Sequence, residues 1–365
     1  MISDVTTEKG LMTKARKIVT DDAGNLRYRV GVIGLGYVGL PLVLACADKH
    51  YCVGYDLNIQ RVTDLCNNYD ANHEILEEEL QSCGVTFSSQ ESALHDLDIY
   101  IITVPTPISP FNEPDLSYLE MASSLVGSKM GVGSVVIYES TVYPGATEEV
   151  CAPILEKVSS MKLNQHFFLG YSPERVNPAD PQRRITDIVK VTSGSTPEIA
   201  EVIDVFYKSF ILAGTHRAES IKVAEASKVV ENIQRDVNIA LMNELATIFD
   251  ELEISTHDVL RAAGTKWNFL NFYPGLVGGH CISVDPYYLT RKAQQVGLHS
   301  ELILTSRRVN NNMASFVVKK IIRKLAQLGK RTTSSNILLL GASFKENCRD
   351  FRNSKAVDLK SALEK

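Results

Sequence analysis

The chain has 365 residues, of which 44% are hydrophobic and 22% charged, with a formal net charge of −5. That length suits two or three domains with ordinary apolar cores. Lys and Arg are dispersed rather than gathered into a stripe, which argues against a nucleic-acid partner, and no apolar run approaches the ~20 residues that span a bilayer, which argues against a membrane partner.

The first 27 residues mix both charges and lack an apolar stretch, so they read as a tail rather than a secretory signal. The expected compartment is the cytoplasm. Within the tail, 11–19 is a candidate helix and 21–25 a turn. From residue 28 strands and helices alternate: strand 28–33, helix 41–49, strand 51–55 ending on Asp56, helix 59–67, strand 98–104, helix 118–129, strand 134–139, helix 147–158 and strand 167–171. This alternation predicts an α/β fold, with a doubly wound parallel sheet of Rossmann-like type.

The pattern changes near Ala218. From there to about Leu252 apolar residues recur at helical spacing with no internal Gly or Pro. Such a helix exceeds the globular mean and suits a domain link or a dimer interface. Helices follow at 256–263 and 287–296, with one or two more in 300–328. Residues 336–340 then read as a buried strand before Gly341, the start of a second α/β unit, with a helix around 355–363.

Gly34-Leu35-Gly36-Tyr37-Val38-Gly39 is a GxGxxG between a strand and a helix, with Asp56 at the end of the next strand. This is the context a dinucleotide site requires. Gly34 permits the tight turn, Gly36 lets the backbone approach a pyrophosphate, and Gly39 lets helix and strand pack closely. Asp56 would accept hydrogen bonds from the adenosine ribose and repel a 2′-phosphate, favouring NAD over NADP. Val104-Pro105-Thr106-Pro107 and Glu139-Ser140-Thr141 end later strands, where ligands of open α/β sheets collect.

There are seven cysteines: Cys46, Cys52, Cys66, Cys83, Cys151, Cys281 and Cys348. The odd count and the lack of a CxxC pair argue against a disulfide framework and a zinc site, so no metal is expected. Cys281 follows Gly278-Gly279-His280 and precedes a helix start, where a thiol gains thiolate character. Asp285 lies one helical turn on. By local sequence alone Cys281 is as much a buried filler as a nucleophile, and His280 reads as a structural imidazole before a base. Lys228 and Asn232 are i and i+4 on the long helix and share a face, together with the nearby charged positions Lys222, Glu225, Glu231 and Arg235; by spacing alone this is a solvated face.

Taken together, GVIGLGYVGLPL, VPTPI, ESTVYPG, GYSPERVNP, KVAEASKVVEN, FYPGLVGGHCISVDPYYL and FKENCRDFRNSK resemble, in order, the motifs of the UDP-sugar 6-dehydrogenase family across about residues 28–358. The SPERVNP and GGHC wording resembles the N-acetylhexosamine branch, above all the bacterial UDP-N-acetylglucosamine 6-dehydrogenases of surface polysaccharide synthesis. The resemblance implies NAD-dependent oxidation of a sugar C6 alcohol to the uronic acid in two hydride transfers, through a Cys281 thiohemiacetal and then a thioester. UDP-N-acetylglucosamine is the first expectation. UDP-N-acetylgalactosamine, UDP-N-acetylmannosamine and UDP-glucose are the alternative substrates, and a non-catalytic NAD-binding, dimerising protein is the rival from another class.

In that reading Lys228 and Asn232 stabilise the oxyanion at C6, Asp285 assists proton transfer, and Glu174 and Thr141 orient water. The implied cofactor contacts are Gly34, Gly36, Tyr37, Val38, Gly39, Asp56, Arg61, Pro105, Thr106, Thr141 and Arg352. The implied substrate contacts are Glu174, Arg175, Lys228, Asn232, Arg235, Tyr273, Gly275, Gly279 and Lys345, with the backbone amides of 272–279 wrapping the sugar. The implied organisation is a tail (1–27), an NAD-binding Rossmann-like domain (28–214), a central helical domain pairing a homodimer through the long helix (215–312), and the truncated start of a second Rossmann-like, UDP-binding domain (313–365). Two positions depart from the family pattern: Pro178 stands where the glucose branch has a second glutamate, and Ser283 where glycine or proline is expected.

Overall fold

The structure, a computed structural model, describes residues 19–20, 26–176, 183–279, 282–343, 351 and 353–364. The chain divides into two compact units, Met1–Ser109 with Pro114–Lys228, and Pro110–Glu113 with Val229–Lys365.

The first unit is built on six parallel strands: β1 (Arg29–Ile33), β2 (Tyr51–Tyr55), β3 (Val85–Ser88), β4 (Ile99–Ile102), β5 (Val135–Tyr138) and β6 (Phe168–Tyr171). Their spatial order is β3-β2-β1-β4-β5-β6, that of the doubly wound dinucleotide fold, in which the order reverses beside β1. Val30 sits opposite Cys52 on one side and Ile99 on the other. The central strands read as unbroken apolar runs, IYII and VVIY, because a parallel sheet is covered on both faces. Helices α1 (Gly39–Ala47), α2 (Ile59–Cys66), α3 (Glu77–Ser82), α4 (Ser117–Lys129), α5 (Ala152–Ser159) and α6 (Pro197–Lys208) make the crossovers and flanks. The expected helix over 147–158 is divided: a π-turn at Thr147–Cys151 precedes α5. Pro153 has no N–H to complete the ladder, and the backbone widens before it.

Two short parallel strands, β7 (Lys190–Thr192) and β8 (Thr215–Arg217), pair with each other. They escape a sequence reading because three residues carry no periodicity; pairing alone defines them. Edge strand β3 escapes for a related reason, being partly exposed along its length. In the tail, Val19–Thr20 pairs antiparallel with Leu26–Arg27; the expected turn at 21–25, and the candidate helix apart from Val19, lie outside the described residues.

The long helix α7 (Ile221–Glu251) forms as one element of 31 residues. The second unit continues with α8 (Thr256–Ala263), α9 (Asp285–Gln295), α10 (Glu301–Gln327) and α11 (Lys355–Leu363). α10 is a single helix because no Gly or Pro interrupts it. The expected buried strand at 336–340 is not formed, and Leu338 and Leu340 are 82% and 83% exposed. An apolar run becomes a strand only by pairing, and among the described residues none pairs with it.

Candidate active site

The nucleotide end of the first unit is assembled at the carboxyl edge of the sheet. Gly34 closes β1 at φ +98°, a left-handed conformation that glycine adopts without strain. A Cβ on Gly39 would lie 1.8 Å from the Gly34 carbonyl oxygen and 2.5 Å from Thr103 Oγ1, so α1 can start this close to β1 only with glycine there. A Cβ on Gly36 would meet nothing within 4 Å. Val38, at the N-cap of α1, has no side-chain acceptor, which leaves the first-turn amides to the glycine loop. Asp56 is pinned at the end of β2, where Leu35 N–H donates to Oδ2 and Asn58 N–H to Oδ1, each at 2.8 Å. These residues fit NAD: an open glycine rim and uncapped helix start for the phosphates, and an acid beside the ribose position.

Arg61 fastens this loop from below. Its Nε donates to the Leu35 carbonyl at 2.9 Å and one terminal nitrogen to Asp70 at 2.6 Å. Burial is the largest single influence and opposes the Asp70 charge, but the Arg61 hydrogen bond and charge, together with the amides of Glu74 and Asn72, outweigh it and hold the carboxyl below its ordinary range. The loops after β4 and β5 are stitched together, with Thr106 Oγ1 donating to the Thr141 carbonyl at 2.7 Å and Ser140 Oγ to that of Val104 at 2.6 Å. Pro105, Thr106 and Thr141 therefore gather at the edge where a cofactor of this fold lies.

Behind that edge is a buried ionic cluster. Lys190 Nζ, on β7, donates to Glu139 Oε2 at 2.6 Å and Glu174 Oε2 at 3.3 Å. Glu139 also accepts from the Tyr207 hydroxyl. The other oxygen of Glu174 accepts from the amides of Arg175 at 2.6 Å and Val176 at 2.5 Å, while Lys228 Nζ donates to the Glu174 carbonyl at 2.6 Å. Burial pushes the Glu139 carboxyl up to about 7 against the pull of Lys190. Burial also disfavours the lysine cation, but the two carboxylates prevail and raise its pKa. Arg175 reaches the Val189 carbonyl at 2.9 Å. A third acid, Glu225, accepts from the amides of Gly145 and Thr147, the latter at 2.9 Å, just after Thr141, and burial lifts it to about 7.

In the second unit Asn232 Nδ2 donates to Asp285 Oδ2 at 2.5 Å, joining two residues 53 apart in the chain. His280 and Cys281 lie outside the described residues, as do Lys345 and Arg352. The glycines ahead of Cys281 are described. Gly279 donates its N–H to the Asn353 carbonyl at 3.1 Å. A Cβ on Gly278 would lie 2.5 Å from that same oxygen, so the close approach at Gly278 is to the chain itself. Asn243 clamps Gly275, accepting its N–H at 2.8 Å and donating to its carbonyl at 3.0 Å. Asn243 also donates to Asn310 at 2.8 Å, and Asp236 accepts from Arg307 at 2.5 Å and from Asn310 at 2.7 Å. The amides of Gly275 and Gly279, expected to wrap a sugar, thus donate within the protein. Tyr273 is 60% exposed, and Arg235 is exposed on α7.

Lys190, Tyr207 and Asn243 are not singled out by the sequence. The one available signal is a lysine inside the apolar run Ile188-Val189-Lys190-Val191, which asks for a buried partner. Among the described residues no group of three or more His, Cys, Asp or Glu is placed to hold a metal, and no helix is long and apolar enough to cross a membrane.

The NAD-binding domain of the UDP-glucose/GDP-mannose dehydrogenase family matches residues 28–211, and its central domain matches 222–312. The chain is 53% identical over 338 residues to the UDP-N-acetyl-D-glucosamine 6-dehydrogenase of Salmonella typhi, covering 92% of this chain and 80% of that protein. It is 52% identical to the enzyme of that name from Pseudomonas aeruginosa, covering 91% and 79%. A solved UDP-D-ManNAc dehydrogenase from Pyrococcus horikoshii superposes with a TM-score of 0.84 at 31% identity, covering 92% and 81%. This chain belongs to the UDP-glucose/GDP-mannose dehydrogenase family.

Proposed function

We propose that the chain oxidises the C6 alcohol of UDP-N-acetyl-D-glucosamine to the uronate, for polysaccharide precursor synthesis. The observation that supports this substrate is the much higher identity to UDP-N-acetyl-D-glucosamine 6-dehydrogenases than to the mannosamine enzymes. Bound NAD supplies the hydride acceptor. In the first oxidation C6 loses a hydride and its hydroxyl a proton, giving the aldehyde. The Cys281 thiolate adds to that carbon, and the adduct takes up a proton to become a thiohemiacetal. Loss of a second hydride from C6, and of that hydroxyl proton, leaves a thioester. Water then breaks the C–S bond, releasing the carboxylate and the thiol.

Lys228 and Asn232 stand one turn apart on α7 and supply a cation and an amide donor to the C6 oxygen. Asp285, hydrogen-bonded to Asn232, serves proton transfer. Glu174 and Thr141 orient the hydrolytic water. Residues 28–214 carry the cofactor, 215–312 form the central helical domain, and 313–365 serve to hold UDP. A second copy packs against α7, whose Val230, Leu241 and Ile248 are exposed. Free Cys46, Cys52, Cys66, Cys83 and Cys151 suit a reducing cytoplasm.

The test is incubation of the chain with NAD and a panel of UDP-hexoses, reading NADH absorbance and product mass. UDP-N-acetylglucosamine should give its uronate with about two NADH per sugar, one for each hydride removed. Cys281→Ser should keep NAD binding and lose uronate formation. NAD binding without turnover of any UDP-sugar would refute the reading.

A further inference from the structure

We propose that Lys190 is a positioning residue: through a buried ion pair completed by Glu139 and Tyr207, it aims Glu174 and keeps it competent to activate water. This rests on the role given to Glu174 above. The cluster converges on one carboxylate. Glu174 Oε2 faces Lys190 at 3.3 Å, and its Oε1 holds two backbone amides. Its rotamer is thus fixed from both sides. Lys190 is 3% exposed, and a buried ammonium persists only when paired. One carboxylate would suffice for that. Here two share the lysine, and the shorter contact, 2.6 Å, goes to Glu139.

That sharing makes the hold on Glu174 adjustable. Tyr207 donates to Glu139, and its ring lies 5.5 Å from Lys190 Nζ. Among the described residues, the other charged and titratable groups around the pair are Lys228 from α7, bonded to the Glu174 carbonyl, Arg175 beside it, and Cys46 of α1 facing Tyr207. Burial favours the protonated form of Glu139. When Glu139 carries a proton, the lysine charge falls to Glu174. Lys190 and Glu139 therefore act on Glu174 with opposite sign: removing the lysine disfavours its carboxylate form, and neutralising Glu139 favours it.

The experiment measures kcat and KM against pH from 5.5 to 9.5 for the full chain with NAD and UDP-N-acetylglucosamine, comparing wild type, Lys190→Met, Lys190→Arg and Glu139→Gln. Lys190→Met should move the acid limb of kcat up by about one pH unit, an approximately tenfold loss along that limb that is recovered at higher pH. KM and NAD affinity should stay within about twofold, since neither ligand is bound by Lys190. Lys190→Arg should restore the limb, and Glu139→Gln should move it down. A uniform loss at every pH, or limbs that shift the same way in Lys190→Met and Glu139→Gln, overturns the proposal. If Lys190→Met fails to fold by thermal melting, Glu139→Gln decides alone: a lowered limb supports the proposal, and an unmoved or raised one overturns it. Absence of uronate from wild type overturns the functional reading, and this inference with it; a turning-over wild type with unmoved limbs overturns this inference only.

Discussion

In the glycine loop, alanine placed at Gly36 and alanine placed at Gly39, three residues apart, should have opposite effects. Gly39→Ala places a methyl 1.8 Å from the backbone oxygen of Gly34 and 2.5 Å from Thr103 Oγ1. The oxygen belongs to the main chain of the turn that leaves β1 and cannot rotate away, so α1 must back off the sheet. Overpacking of this kind costs about 1–3 kcal/mol or more. In a unit of this size that lowers the melting temperature by roughly 3–10 °C. Gly36→Ala adds the same methyl to open space, so stability should change by no more than about 0.5 kcal/mol. Its cost falls on the ligand. A methyl on the rim holds the pyrophosphate away from the loop amides, and losing a hydrogen bond to a charged group is worth about 1.5–3 kcal/mol, or roughly 10- to 100-fold in Kd for NAD. Differential scanning fluorimetry and calorimetric titration with NAD measure the two effects separately. A Gly36→Ala variant that binds NAD like wild type, or a Gly39→Ala variant that melts like wild type, would refute the assignment of ligand approach to one glycine and close packing to the other.

Glu225 carries a pH signature. Its carboxyl is lifted by burial from an ordinary 4.5 to about 7, so between those values the folded state holds a proton that the unfolded chain releases. The stability this gives is fully present below about 4.5 and is lost as pH rises through about 7, on the order of 3 kcal/mol. Glu225→Gln should therefore flatten the fall in urea stability between pH 5 and 7.5, and an unchanged slope would contradict it. Asn243→Ala strips both polar groups of Gly275 and one of Asn310 of their partner. Gly275 is exposed, so its freed groups can turn to water; losing the hydrogen bond is worth about 0.5–1.5 kcal/mol, and hydrogen exchange at the Gly275 amide should accelerate by roughly two- to tenfold; equal protection in the variant would show that another group holds the loop.

How far the site was legible depended on whether its logic was local. The GxGxxG run, the acid at Asp56 and the alternation of strands and helices are set by chain neighbours, and the six-stranded parallel sheet follows them. The Lys228–Asn232 spacing is likewise local, since both ride on one helix. The partners of those residues are not local. Lys190 meets Glu139 from 51 residues away, and Asn243 meets Gly275 from 32. Nothing in either segment names the other.

By itself, then, the amino-acid order determined the class of fold, the dinucleotide loop, the long helix and the ordered motifs of the family, because periodicity and turn chemistry act over a few residues. Tertiary structure decided that 336–340 is not a strand, that the Gly275 and Gly279 amides donate to the protein's own chain, and that a buried lysine is shared by two glutamates. Each of these turns on which distant backbone or side chain arrives to pair. A strand, an amide and a buried charge are all stabilised by partners that only the folded chain brings within hydrogen-bonding distance.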